Sequence, residues 1–360
     1  MTGAGVQVGI EENAGVAGRL TGVPNGRRKS PWRILLAVLR VVLGAGLLVW
    51  VLTRSGLRAL EPVFGSPWVL LVLLGLTLYG ACVEAERLRV LFRAAGLRLT
   101  RRLAYRVVPV GVFFHFCFPG GTGGDIVKLY YLARENAGRG VEVATVVLVD
   151  RVVGLTAVLA LVLSLVVTNA ELVASSAILW AIVLTASAAL VAIAVVVALA
   201  WSKRLRGSRL YAWIMARMPL RRYVERVANA VHAFGDRKRA IAAAALISLG
   251  GHLGVAATYI VVASVILPSV SWSVVGFLSM LGMVANALPL TPGGIGVGEA
   301  AFEQLFSLAG ASGGAALLIL WRLSMIPIAT IGATLYITGR VRAKDPAHDP
   351  AHGSPAEHTA

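Results

Sequence analysis

Long apolar runs alternate with short basic loops along this chain. The runs 34–53, 68–92, 141–167, 176–201, 240–267 and 314–338 each reach the roughly 20 residues that a helix needs to cross a bilayer. Two further apolar regions, 105–133 and 273–309, are each broken by a glycine- and proline-rich phrase. Residues 119–125 read Pro-Gly-Gly-Thr-Gly-Gly-Asp, and residues 292–299 read Pro-Gly-Gly-Ile-Gly-Val-Gly-Glu. Each phrase follows an apolar stretch too short to span and precedes a short helical stretch. The pattern predicts an all-α polytopic membrane protein with about six full spans and two re-entrant broken hairpins.

Charge orients these elements. The basic residues collect at Arg27, Arg28, Lys29 and Arg33, along 84–106, in 202–239, and at Arg340, Arg342 and Lys344. Residues 168–175 carry only Glu171, and 268–272 carry no charge. Positive loops mark the cytoplasmic side. Six crossings with two hairpins put every basic loop inside and every charge-poor loop outside, with both termini cytoplasmic and the protein in the cytoplasmic (inner) membrane. Residues 1–33 and 341–360 read as disordered tails around a transmembrane domain, 34–340. The 34–53 run, with no small-residue cleavage site before Arg54, reads as an uncleaved span. In 202–239, Leu220, Tyr223, Val224, Val227, Val231 and Phe234 share one helical face, which predicts a basic helix lying in the interface or a connector packed on protein. The excess of Lys+Arg, 34 against 17 acids, is thus explained by topology and anionic lipid contact at the cytoplasmic loops, and no nucleic-acid partner is expected. Cys82 and Cys117 lie in apolar segments and read as small core residues. No metal site, cofactor motif or nucleotide-binding phrase is present, and no catalytic residue is assigned.

The two broken regions sit in matching surroundings. Repeat A, about 68–167, runs span, hairpin, span; repeat B, about 240–338, has the same order in the opposite orientation. The pattern predicts an inverted repeat. Gly121 precedes Arg151 by 30 positions and Gly294 precedes Arg322 by 28. An arginine in the middle of a span marks a substrate path or a buried pair, and its planar fork suits a phosphate. The glycines permit close backbone approach, and the following half-helices present N–H groups to an anion. The candidate substrate-binding set is therefore Gly120, Gly121, Gly123, Gly124, Asp125, Lys128, Asp150 and Arg151 in the first half. In the second half it is Pro292, Gly293, Gly294, Gly296, Gly298, Glu299 and Arg322. Asp125 and Glu299 read either as helix caps or as sites for a coupling ion or a headgroup amine, with Arg151 and Arg322 as their expected partners. Glu84, Glu86 and Arg87 are explained by snorkelling, and Lys128 by snorkelling or headgroup contact. His115 and His252 read as core histidines, and Gly250 with Gly254 as a close helix contact.

The phrases Phe118-Pro-Gly-Gly-Thr-Gly-Gly-Asp125 and Leu288-Pro-Leu-Thr-Pro-Gly-Gly-Ile-Gly-Val-Gly-Glu299, with Asp150-Arg151 and Arg322, carry a resemblance. Over roughly 34–340 the chain resembles the transmembrane region of lysylphosphatidylglycerol synthases, a flippase-like integral membrane family. The resemblance implies movement of an aminoacylated phospholipid between leaflets, with aminoacyl transfer performed by a separate soluble domain. The tail after Arg340 is too short for that domain. The expectation is a transporter: a lipid translocase for a phosphate-bearing lipid, with a separate lipid-modifying enzyme as a partner. The alternative is a membrane-embedded enzyme or enzyme subunit in phospholipid aminoacylation or polyprenyl and glycolipid transfer. A weaker reading is a scaffold that recruits such an enzyme through 202–239.

Overall fold

The computed structural model describes residues 61–117, 123–201, 237–286 and 294–341. The expected first span, both tails, the interfacial helix within 202–236, and Gly120, Gly121, Pro292 and Gly293 lie outside the described residues. The regular elements there are all helical: α1 Glu61–Phe64, α2 Pro67–Ala94, α3 Arg101–Cys117, α4 Gly123–Glu135, α5 Gly140–Val166, α6 Ala170–Ala174, α7 Ala177–Trp201, α8 Lys238–Ile266, α9 Trp272–Asn286, α10 Val297–Ser307, α11 Gly314–Ser324 and α12 Ile326–Ile337. A 3₁₀ turn, Val167–Asn169, joins α5 to α6.

Five stretches among the described residues are long and apolar enough to cross a membrane: Pro67–Ala94, Gly140–Ala174, Ala177–Ala198, Lys238–Ile266 and Gly314–Ile337. The protein is thus a multi-pass membrane protein. Large apolar side chains such as Leu71, Leu184, Val191 and Ile337 stand exposed on its flanks, where hydrocarbon rather than water surrounds a spanning helix. The last stretch differs from the single span expected over 314–338. It is two helices meeting at Met325, whose N–H bonds back to the Arg322 carbonyl at 3.1 Å. Pro327 follows at the start of α12; having no N–H, it cannot close the next turn onto Leu323.

The helices between the spans pair as hairpins. At the start of α3, the Arg98 N–H donates to Asn136 Oδ1 at 2.8 Å, and Asn136 Nδ2 returns a bond to the Arg98 carbonyl at 3.0 Å. Asn136 directly follows α4, so α3 and α4 leave and return at one end. Arg139 adds a bond to the Gly96 carbonyl at 2.9 Å there. The start of α9 and the end of α10 also meet: Ser271 and Val274 line one crevice with Ala309, Gly310, Leu172 and Leu267. Asn169 Nδ2 donates to Ser273 Oγ at 3.0 Å, tying the end of α5 to this same end. The first hairpin therefore has its feet among basic loops, and the second among charge-poor ones.

Packing repeats as well. α2 touches α3 and α5, α3 touches α4, and α4 touches α5; α8 touches α9 and α11, α9 touches α10, and α10 touches α11. The most extensive contact joins α2 to α8. It is close because α8 presents Gly250, Gly251 and Gly254 to Tyr79 and Val83 of α2; a Cβ on Gly254 would lie 2.8 Å from Tyr79 Cε1. This is the small-residue contact expected from Gly250 and Gly254. α12 crosses α3 where Gly332 meets the carbonyl of Pro109. One buried cluster runs through the second group of helices with Tyr259, Phe277, Phe302, Phe306, Leu317 and Leu318 and takes in Leu73 of α2 and Leu161 of α5, and another joins Leu91, Phe92, Val107, Leu132 and Val146 of the first group to Ala244 of α8.

Candidate functional site

The second break is held by a closed polar knot. Gly294 and Gly296 adopt φ of +69° and +83°, left-handed values that glycine adopts without Cβ strain. They turn the chain into α10, where Glu299 stands in the first turn. The Gly296 N–H donates to Glu299 Oε2 at 2.7 Å, satisfying a donor that the helix start leaves open. Arg322 Nε lies 2.8 Å from Glu299 Oε1, and Arg322 Nη2 donates to Asn286 Oδ1 at 2.8 Å. Glu299 is 1% and Arg322 11% exposed. Arg322 sits in the last turn of α11, where unpaired carbonyls favour a cation. Asn286 ends α9, and Gly294 and Gly298 make room for its side chain: a Cβ on either would collide with Oδ1. One turn further along α10, Glu303 accepts the N–H groups of Gly313 at 3.1 Å and Ala315 at 3.0 Å, capping α11.

The first break also pairs an acid with an arginine, in a more exposed setting. Asp125 stands in the first turn of α4 and pairs with Arg151 Nη2. Arg151 is 58% exposed and Asp125 23%. Gly124, immediately before the acid, lies against the Gly111 carbonyl of α3, and a Cβ there would collide with it. Gly124 and Gly298 thus do the same job, since each lets another group approach the backbone beside the acid. Gly123 is buried at the start of α4.

Around this pair lie contacts that the sequence reading assigned otherwise. Asp150 pairs with Arg87 of α2 through two parallel bonds, Nε–Oδ1 at 2.6 Å and Nη2–Oδ2 at 2.8 Å, while Arg87 Nη1 donates to Ser248 Oγ of α8 at 3.1 Å. Lys128 pairs with Glu84. Snorkelling therefore does not account for Glu84 or Arg87. Both reach sideways into ion pairs with residues of neighbouring helices. Glu86, nearer the end of α2, meets Arg89, Arg101 and Tyr105. His252 is a satisfied core histidine, its Nε2 lying 3.0 Å from the Gly154 carbonyl.

The expected pairs Asp125–Arg151 and Glu299–Arg322 are both present. Asn286, Ser248 and Glu303 were missed. Asn286 did leave a signal, as the one amide at the end of an otherwise apolar 273–286, directly ahead of the break. Among the described residues no group of His, Cys, Asp or Glu could hold a metal ion. The chemistry available is ionic and hydrogen-bonding: guanidinium forks, carboxylates and glycine-lined backbone.

A family model described as the lysylphosphatidylglycerol synthase TM region matches residues 37–332. No curated protein and no solved structure matches the chain.

Proposed function

We propose that this chain, which belongs to the lysylphosphatidylglycerol synthase transmembrane-region family, moves a phosphate-bearing lipid between the leaflets of the cytoplasmic membrane. The headgroup binds between two inverted repeats, α2–α5 and α8–α12. The observation that carries this reading is the repetition itself. The same four pairings recur in each group, the two hairpins have their feet at ends of opposite charge character, and an acid just after a glycine faces a mid-span arginine in both. Paired broken elements of opposite orientation are the architecture of alternating-access carriers.

In this reading the phosphate meets Arg151 or Arg322 and the amides of the glycine phrases, Gly120, Gly121, Gly123 and Gly124 on one side and Gly293, Gly294, Gly296 and Gly298 on the other. Asp125, Lys128, Asp150, Pro292 and Glu299 shape the surroundings. The termini and the basic loops face the cytoplasm, where the loops contact anionic lipid. The family description, which names a synthase, favours a second reading: a subunit of an enzyme that modifies a membrane lipid.

Reconstitution separates the two. Purified protein in phosphatidylcholine vesicles carrying a trace of fluorescent phosphatidylglycerol should speed exchange of the label between leaflets, read as protection from an impermeant quencher. An unchanged leaflet distribution across anionic and zwitterionic lipids, with a new lipid product formed in the presence of a soluble transferase, would overturn translocation in favour of the subunit.

A further inference from the structure

Arg151, paired with Asp125, is the exposed member of a cluster whose other charges are buried or half-buried. Arg87 grips Asp150 with two bonds and Ser248 with a third, and Lys128 holds Glu84. With Asp125 and Arg151 the cluster contains three acids and three bases, so it sums to zero. Arg151 meets Asp125 through Nη2, and its side chain is more than half exposed. Its counterpart differs: Arg322 is buried and divided between Glu299 and Asn286. Arg151 lies eleven residues into α5, about 16 Å along the helix at 1.5 Å per residue. That falls well inside a hydrocarbon core about 30 Å thick. An exposed guanidinium at that depth calls for water or an anion beside it, and its fork fits two phosphate oxygens.

An entering monoanion would leave this neutral cluster one charge negative, with a carboxylate set loose in a medium that penalises unpaired charge. Among the described residues, the groups around Asp125 offer it no second cation. Arg87 on α2 is already bound to Asp150, Lys128 on its own helix is bound to Glu84, and α5 contributes only Asp150 and Arg151. α3 packs on the start of α4 through Gly111 and brings His115 one turn further along. We propose that a phosphate oxyanion binds Arg151 by displacing Asp125, and that Asp125 takes up a proton as it is released. The Arg151–Asp125 contact breaks and an Arg151–phosphate contact forms. One proton passes from water to an Asp125 carboxylate oxygen, and the site remains neutral. The second break, with its closed knot, serves as a structural latch. This rests on the reading of the chain as a carrier of a phosphate-bearing lipid, and it assigns proton coupling to the first half of that carrier.

The test measures proton uptake on binding. The purified full chain in weakly buffered detergent is titrated with dioctanoyl-phosphatidylglycerol, with inorganic phosphate and with dioctanoylglycerol, while an indicator dye reports pH. Wild type should take up about one proton per bound phosphatidylglycerol and none with dioctanoylglycerol. Asp125→Asn should bind without proton uptake. Arg151→Ala should bind at least about tenfold more weakly, as should Arg151→Lys, which keeps the charge but loses the fork and carries the test if the alanine variant does not fold. Equal proton uptake with inorganic phosphate would assign the site to a soluble anion, supporting the exchange at Arg151 while removing the lipid. Binding by wild type without proton uptake, undiminished uptake by Asp125→Asn, or undiminished affinity in both Arg151 variants would overturn the proposal. Proton-coupled binding with no leaflet exchange in vesicles would instead sink the translocase reading and leave this exchange standing.

Discussion

Arg151 and Arg322 carry the same charge at matching places, and their surroundings set different consequences for losing them. Arg322→Ala leaves Glu299, 1% exposed, without its cation. Stranding a buried charge in this way costs about 3–5 kcal/mol. Arg151→Ala leaves Asp125, 23% exposed, in a more open site, where losing the partner costs less than it does in the buried knot. Fluorescence-detected gel filtration after a heating series should therefore show Arg322→Ala collapsing at a much lower temperature than wild type, with Arg151→Ala closer to wild type. Similar melting of both variants would show that the burial difference has no energetic weight. Gly298→Ala should behave like Arg322→Ala, because its methyl collides with Asn286 Oδ1 and pushes the amide off Arg322.

Helix contacts make predictions of their own. Gly332 of α12 rests on the Pro109 carbonyl, whereas Gly75 of α2 has open space where a Cβ would go. Gly332→Ala should force α12 off α3 and destabilise by about 1–3 kcal/mol. Gly75→Ala should be neutral or stabilising by up to about 1 kcal/mol, since alanine is the better helix former; the same heating series reads both. At this scale the sequence was largely legible. Apolar run length, glycine and proline punctuation and charge placed α2, α5, α7 and α8 within a few residues, because each run is bounded by residues that a spanning helix excludes. The stop at Met325 was not legible, since 314–338 is apolar throughout and a proline can begin a helix as readily as kink one. The acid–arginine pairs could be anticipated from their matching positions. Arg87–Asp150 and Asn286–Arg322 could not, because periodicity shows which face of a helix is apolar and not which helix lies opposite. Arg87 and Asp150 are 63 positions apart and meet only through the packing of α2 on α5.

Across the whole molecule the polar ends differ in charge, and this carries the topology. The loops joined by Arg98–Asn136, Arg139–Gly96 and Arg106–Arg340 gather basic residues at one end. The turn Val167–Asn169 and the start of α9, joined through Asn169–Ser273 and Ser273–Thr168, gather almost none at the other. Asymmetry of this kind orients a chain with its basic end toward the cytoplasm. If both hairpins return to the side they enter from, then Ser175→Cys and Ser271→Cys lie outside, while Arg237→Cys and cysteines at the feet of α3 and α4 lie inside. With Cys82 and Cys117 first replaced by serine, an impermeant maleimide added to intact cells should label positions 175 and 271 and leave 237 and 98 untouched until the membrane is permeabilised. Labelling of 237 from outside would make at least one hairpin a full crossing. The two halves would then share an orientation, and the argument that places a carrier site between inverted repeats would lose its geometric basis, whatever lipid the protein handles.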